Sequence, residues 1–218
     1  MDKKKLDQQS QHWDKNFSSK PEMFGQEPSA AAIKSLIFFK DKKIIELGAG
    51  LGRDTIFFAQ NSIQVNALDY SKKAIEIINN KSKKLNLNKF INTKIFDIRK
   101  KIPFAANTFD GCFSHMLYCM ALTNEDLKNL NDEIYRILKP GGINIFTVRH
   151  IDDGDYKNGT HIGGDLYEND GFIVHFFSKN KINQFSKGFE ILDIEKFEEG
   201  KFPRKLFRVI LKKKSFTG

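Results

Sequence analysis

The sequence predicts an α/β fold, a doubly wound three-layer sandwich with helices on both faces of a mostly parallel sheet. Three observations carry this. Ile44-Ile45-Glu46-Leu47 is a short apolar run that drops into Gly48-Ala49-Gly50-Leu51-Gly52, and the helical pattern Ile56, Phe57, Phe58, Ala59 follows. That is a buried parallel strand, a tight turn and a helix start. Further strand patterns at 64–69, 92–98, 109–116 and 143–148 alternate with helical stretches, as in a sheet built from strand–helix–strand units. The chain then carries two strand patterns, 190–197 and 205–211, joined by 198–203, which read as an antiparallel pair.

Each element has a local reason. Residues 1–29 set Trp13, Phe17, Met23 and Phe24 among polar residues, and they read either as an arm packed on the domain or as a lid over a ligand. Ser29 is an N-cap for a helix from Ala30 to Phe39, and Ser71 opens another from Lys72 to about Lys84. Thr123 and Asp126 form a capping-box pattern ahead of the apolar face Leu127, Leu130, Ile134, Ile137 and Leu138. Pro140-Gly141-Gly142 stops that helix before the fifth strand. From Arg149 to Gly171 the pattern breaks into Asp, Gly, Asn and His. A loop of that length in a compact domain is usually functional, and it is expected to close over an active site. Phe172 to Phe177 reads as a short extra strand, with Ser178 capping a helix to about Phe185.

Composition bounds the rest. At 218 residues the chain suits one domain, 1–218, with a core that buries roughly 70% of its unfolded surface. The net charge of +9 is mostly lysine scattered over helix surfaces and both termini. Arginine, the better phosphate fork, is sparse, so solvated surface charge is favoured over a nucleic-acid partner. Two cysteines, Cys112 and Cys119, are too few for a disulfide framework and read as reduced thiols near the core. Alternation along a strand would send Cys112 and His115 to opposite faces, so no metal site is expected. No apolar run approaches the roughly 20 residues of a membrane span, and the basic start has no apolar stretch behind it. A cytoplasmic protein is expected.

The glycine turn narrows the ligand. A dinucleotide fold wants Gly-x-Gly-x-x-Gly, and counting from Gly48 the third position is Arg53. Glu46, at the carboxyl end of the strand, would sit badly beside a pyrophosphate but suits a ligand with a positive amino group. S-adenosylmethionine (SAM) matches, through its methionine ammonium. Asp69 ends the second strand about 20 residues beyond the turn, where nucleotide folds place an acid on the ribose hydroxyls.

These residues resemble motif I of the class I SAM-dependent methyltransferases, an acidic residue followed by Gly-x-Gly-x-Gly. Asp97, at the end of the third strand, is similar to the family's adenine-contacting acid. The lead-in Pro103-Phe104…Asn107-Thr108-Phe109-Asp110 and the run Leu138-Lys139-Pro140-Gly141-Gly142 also look like pieces of the family. The resemblance covers roughly residues 40–215. It implies a seven-stranded sheet with the last strand antiparallel, and a cofactor lying across the carboxyl ends of the first strands. SAM is then the cofactor and S-adenosylhomocysteine the product. The implied cofactor contacts are Glu46, Gly48, Ala49, Gly50, Gly52, Arg53, Asp69, Tyr70, Asp97, Ile98 and Ser114.

Gly52-Arg53-Asp54-Thr55 looks like the thiopurine and tellurite methyltransferase branch, which implies a small-molecule acceptor and a monomer or homodimer. An RNA or protein methyltransferase is the alternative, although the sequence has no Asn-Pro-Pro-Tyr-type motif and no added RNA-binding module. Methyl transfer mainly requires alignment, and a base is needed only if the acceptor must lose a proton. His115 and His150 are the candidate bases, at the ends of the fourth and fifth strands. Arg149 is the candidate to hold a negative or hydrogen-bonding group of the acceptor.

Overall fold

The computed structural model describes residues 6–200 and 204–215. In chain order the elements are α1 (Gln9–Ser19), α2 (Ala30–Phe39), β1 (Lys43–Leu47), α3 (Arg53–Gln60), β2 (Gln64–Asp69), α4 (Lys72–Lys84), β3 (Ile91–Ile95) and β4 (Phe109–Ser114). There follow α5 (Asn124–Ile137), β5 (Leu138–Arg149), β6 (Thr160–Gly163), β7 (Leu166–Asn169), β8 (Phe172–His175), α6 (Lys179–Gln184), β9 (Phe189–Glu199) and β10 (Arg204–Lys213).

Seven strands form one sheet in the order β3-β2-β1-β4-β5-β10-β9. The pairs from β3 through β5 are parallel, and β10 runs antiparallel to both of its neighbours. The strand order reverses between β1 and β4, the switch point at which open α/β sheets bind ligands.

Alternation along each strand feeds two cores. In β1, Ile45 and Leu47 join one cluster with Leu127, Ile134 and Phe185 from α5 and the end of α6. Ile44 joins the other with Ala31, Phe58 and Ile78 from α2, α3 and α4. Helices thus cover both faces, as the sequence predicts. The caps form where the side chains call for them. Ser29, Ser71 and Ser178 each accept a backbone N–H of the first turn, and Thr123 with Asp126 closes a full capping box.

Two segments differ from the sequence reading. Residues 160–175, expected as loop followed by one strand, fold into a three-stranded antiparallel meander, β6-β7-β8. Its strands are four residues each and mostly half-exposed, so they lack the apolar alternation that marks a strand in a sequence. The meander is anchored instead by Leu166 and Ile173, which pack with Leu6. The fifth strand begins at Leu138 rather than Ile143, because Lys139 to Gly142 pass beside β4 through an irregularity in register between Phe109 and Gly111.

Candidate functional site

At the switch point a cavity of about 610 Å³ opens over the carboxyl ends of β1, β2 and β4. Its floor is the glycine turn. Gly48, Gly50 and Gly52 all take positive φ, at 69°, 52° and 78°, a region open to glycine and strained for other residues. The first and third are also sterically required. A Cβ on Gly48 would stand 2.8 Å from Leu117 Cδ1, and one on Gly52 2.6 Å from Ile78 Cγ1. Over Gly50 the nearest heavy atom is Phe17 Cζ at 3.9 Å, so this backbone is the part that stays open to a ligand.

Three acids surround the turn. Glu46 is 3% exposed, and the Thr55 hydroxyl donates to it, Oγ1 to Oε2 at 2.5 Å. Burial, and then the charge of Asp54, push its carboxyl well above the ordinary range, with the Thr55 hydrogen bond pulling the other way. A buried carboxylate without a counter-ion is costly, and a cationic ligand group would relieve it. The ammonium of SAM is such a group. Asp69 accepts from the Gly50 amide at 2.8 Å and the Ser71 amide at 2.9 Å, and it lines the cavity with the adjacent Tyr70. Asp54 turns towards α2, where the Ser29 amide and hydroxyl donate to it at 2.7 and 2.8 Å.

The roof comes from two distant segments. Trp13, Phe17, Met23 and Phe24 of the N-terminal arm line the cavity together with Phe172, Ile173 and Val174 of β8. The two meet directly. Trp13 lies 5.2 Å from Phe172 between ring centroids, and Gln9 Nε2 donates to the Gly171 carbonyl at 3.1 Å. Arg53 ties the floor to the arm through the Phe24 carbonyl at 3.0 Å.

At the far side His115 follows the end of β4, its Nδ1 3.0 Å from Thr147 Oγ1 and its Nε2 3.0 Å from Glu199 Oε2. Thr147 Oγ1 already accepts the Met116 amide at 2.9 Å, so its single hydrogen is free to go to Nδ1. The neutral ring that satisfies all three contacts carries its proton on Nε2, towards Glu199. Both ring nitrogens of His115, a candidate base in the sequence, are therefore engaged. Met116, the next residue, is held at φ 61° at the cavity wall.

Several expected residues sit elsewhere. His150 is buried against the Phe207 ring, 4.8 Å between centroids, beside a separate cleft with Asp152 and Lys196. It follows Arg149 on an extended chain and so faces the other side, which removes it as a base at this cavity. Arg149 does line the cavity, but its guanidinium is taken by Asp153 and by Asp155, the latter at 2.7 Å. It is not a free clamp for an anion. Asp97 lies in the turn after β3, outside the cavity lining, and is forked by Arg99 Nε and Nη2 at 3.1 and 2.8 Å. Ile98 and Ser114 are buried in the core, and Gly52, within the turn, faces Ile78 and is not part of the cavity lining.

Sequence reasoning named Asp54 and Thr55 only as part of the run after the turn, assigned neither a contact in the site, and missed Glu199. Thr55 follows Glu46 by nine residues in the same strand–turn–helix unit, so its hydroxyl was a legible signal. Glu199 reaches the cavity from the opposite end of the chain and left none.

Comparison with known proteins agrees with this geometry. Residues 45–146 match a family model described as a methyltransferase domain. The chain is 26% identical over 170 residues to a tRNA N(3)-methylcytidine methyltransferase of Schizosaccharomyces pombe, covering 70% of this chain and 52% of that one. Its fold is similar to that of the Burkholderia thailandensis 1,6-didemethyltoxoflavin-N1-methyltransferase, solved with its acceptor substrate and S-adenosylhomocysteine, at a TM-score of 0.75 and 14% identity over 94% of this chain and 87% of that one. TehB from Haemophilus influenzae gives a TM-score of 0.68 at 19% identity, over 93% and 67%. The chain spans about half the length of the curated relatives it matches first. Matched segment and fold together support a SAM-dependent methyltransferase with SAM as its cofactor.

Proposed function

We propose that the chain transfers the methyl group of SAM to a small-molecule nucleophile. The observation that carries this reading is the roofed cavity of about 610 Å³, within the range of small-molecule sites. When bound, the cofactor supplies an electrophilic methyl group. The residues of this chain hold and orient it: Glu46 takes the ammonium, Asp69 the ribose hydroxyls, and the open backbone at Gly50 allows close approach. Trp13, Phe17, Phe24 and Phe172 exclude water from the space above, so alignment of acceptor and methyl group supplies most of the rate.

A second reading, methylation of RNA, is supported by the tRNA-directed names of two curated relatives and by the net charge of +9. Against it stands the roof, where α1 and β8 meet over the cavity and narrow the approach for a folded nucleic acid. The experiment is transfer of label from methyl-labelled SAM into two pools, total tRNA and small metabolites, with binding of S-adenosylhomocysteine measured by calorimetry. Label in the metabolite pool is expected. Label confined to tRNA would establish the second reading.

A further inference from the structure

Cofactor binding as described gives no task to Glu199, a carboxylate held in place on the cavity lining. Glu199 ends β9, and its Oε1 lies 3.3 Å from Arg53 Nη2 while Oε2 lies 3.0 Å from His115 Nε2. Arg53, His115 and Glu199 all line the cavity. Burial alone would push this carboxyl up, but the hydrogen bonds from His115 and Arg53, with the Arg53 charge, outweigh it and hold the group below its ordinary value. The result is an anion fixed at two corners and facing a largely apolar space walled by Met116, Met120 and Trp13.

The other cavity charges sharpen its role. Arg149 is neutralised by Asp153 and Asp155, and Asp170 and Arg204 stand exposed on the lining. The fixed polar group that an acceptor meets beyond the cofactor acids is therefore a carboxylate. An ionised carboxylate accepts hydrogen bonds and donates none. It favours a ligand that brings a hydrogen, and it repels one that brings negative charge.

We propose that Glu199 is the acceptor-binding residue, and that the acceptor is an amine or hydroxyl compound presenting its nucleophilic N–H or O–H to that carboxylate. This rests on the small-molecule reading above and reverses the expectation of an anionic group held by Arg149. In the transfer, nitrogen or oxygen gains the bond to the methyl carbon, which loses its bond to sulfur and leaves a neutral thioether. The hydrogen departs as a proton, first to Glu199 and then to water at the cavity mouth. His115, braced by Thr147, is a positioning residue for Glu199.

The test uses the full chain and the variants Glu199→Gln and Glu199→Ala. S-adenosylhomocysteine affinity is measured first. Transfer from methyl-labelled SAM is then followed to a fixed panel of phenethylamine, ethanolamine, catechol, 2-mercaptoethanol and selenite. Transfer to an amine or hydroxyl member is expected, with kcat/KM falling about 100-fold or more in Glu199→Gln while cofactor affinity stays within about threefold. The acid limb of the wild-type pH profile should also disappear in that variant. Transfer confined to the thiol or selenite, unchanged kcat/KM in both variants, or no transfer to any panel member overturns the proposal. Failure of the wild-type protein to bind S-adenosylhomocysteine would instead remove the methyl-transfer reading beneath it.

Discussion

Asp69 takes the Gly50 amide on one carboxylate oxygen, at 2.8 Å, and so fastens the end of β2 to the middle of the glycine turn. Burial raises its pKa to about 6, against the hydrogen bonds from Ser71 and Gly50 that pull it down. Ribose hydroxyls need the ionised form. Affinity for S-adenosylhomocysteine should therefore fall as pH drops below 6, by up to about tenfold per pH unit. For the ligand-free fold the sign is opposite. The folded pKa lies above the unfolded one, so the native state holds the extra proton between them. This group's contribution to stability is then present at low pH and lost as pH rises through 6. Asp69→Asn should flatten both profiles and weaken binding at neutral pH by about 1.5–3 kcal/mol. Calorimetry across pH 5 to 8 checks this, and a flat wild-type binding profile would refute the ribose assignment.

The three glycines of the turn separate folding from binding. At Gly52 and Gly48 a Cβ would collide with Ile78 and Leu117. Gly52→Ala should cost about 1–3 kcal/mol of stability, from left-handed strain plus overpacking. At Gly50 only the strain of φ 52° applies, about 1–2 kcal/mol, yet the new methyl group would stand where the ligand approaches. Gly50→Ala should fold with a modest loss in denaturant midpoint and bind S-adenosylhomocysteine at least about tenfold more weakly. Comparable losses of binding and stability at all three positions would contradict the division.

The difference between legible and hidden parts of the site follows chain distance. Glu46, the glycines and Asp69 come from one strand–turn–helix–strand unit, so their meeting at one turn follows from spacing, and every proposed helix cap formed because capping is a matter of three or four residues. Glu199 and Arg53 are 146 positions apart and meet only because β10 and β9 complete the sheet beyond β5. The meander was hidden for another reason. Its short strands are stabilised by contact with the arm, which no local periodicity records. His150 was avoidable, since alternation along an extended segment already sets it opposite Arg149.

The meander is also anchored from below, by a buried polar cluster. Lys181 Nζ lies 2.5 Å from Asp165 and 2.7 Å from His175 Nε2, and His175 Nδ1 lies 2.8 Å from the Leu122 carbonyl. The ring is neutral in this arrangement, donating from Nδ1 and accepting from the ammonium. Burial first, and then the Lys181 charge, lower its pKa to about 4. The unfolded chain protonates this histidine from about pH 6.5 and the native one does not, so its contribution is fully present above that value. It is lost as pH falls towards 4, at most about 3 kcal/mol. His175→Gln should leave a Tm that depends less steeply on pH between 6.5 and 4.5. An identical slope in both proteins would show that the cluster does not govern acid stability.

Trp13 offers a direct view of the roof, because it is the single tryptophan of the sequence. Its ring packs against Phe17 and Phe172, each at 5.2 Å between centroids, and more loosely against Phe24 at 6.1 Å. Aromatic pairs of this kind contribute about 0.5–1.5 kcal/mol each beyond their buried area. The aromatic contact between arm and meander is thus of a size that one substitution can cancel. Phe172→Ala removes the aromatic contact with the meander, leaving the Gln9–Gly171 hydrogen bond and the Leu6 packing, with the glycine turn, Glu46 and Asp69 untouched. Its tryptophan emission should shift to longer wavelength as the ring becomes hydrated. Limited proteolysis should then cut before Ser29 sooner than in the wild type, and S-adenosylhomocysteine should bind several-fold more weakly, by about 1 kcal/mol. Added S-adenosylhomocysteine should restore part of the blue-shifted emission, since a ligand on the turn gives the arm a surface to close upon. Emission and cleavage that match the wild type, with and without ligand, would mean that the arm is fixed to the domain by α1 alone and does not act as a lid.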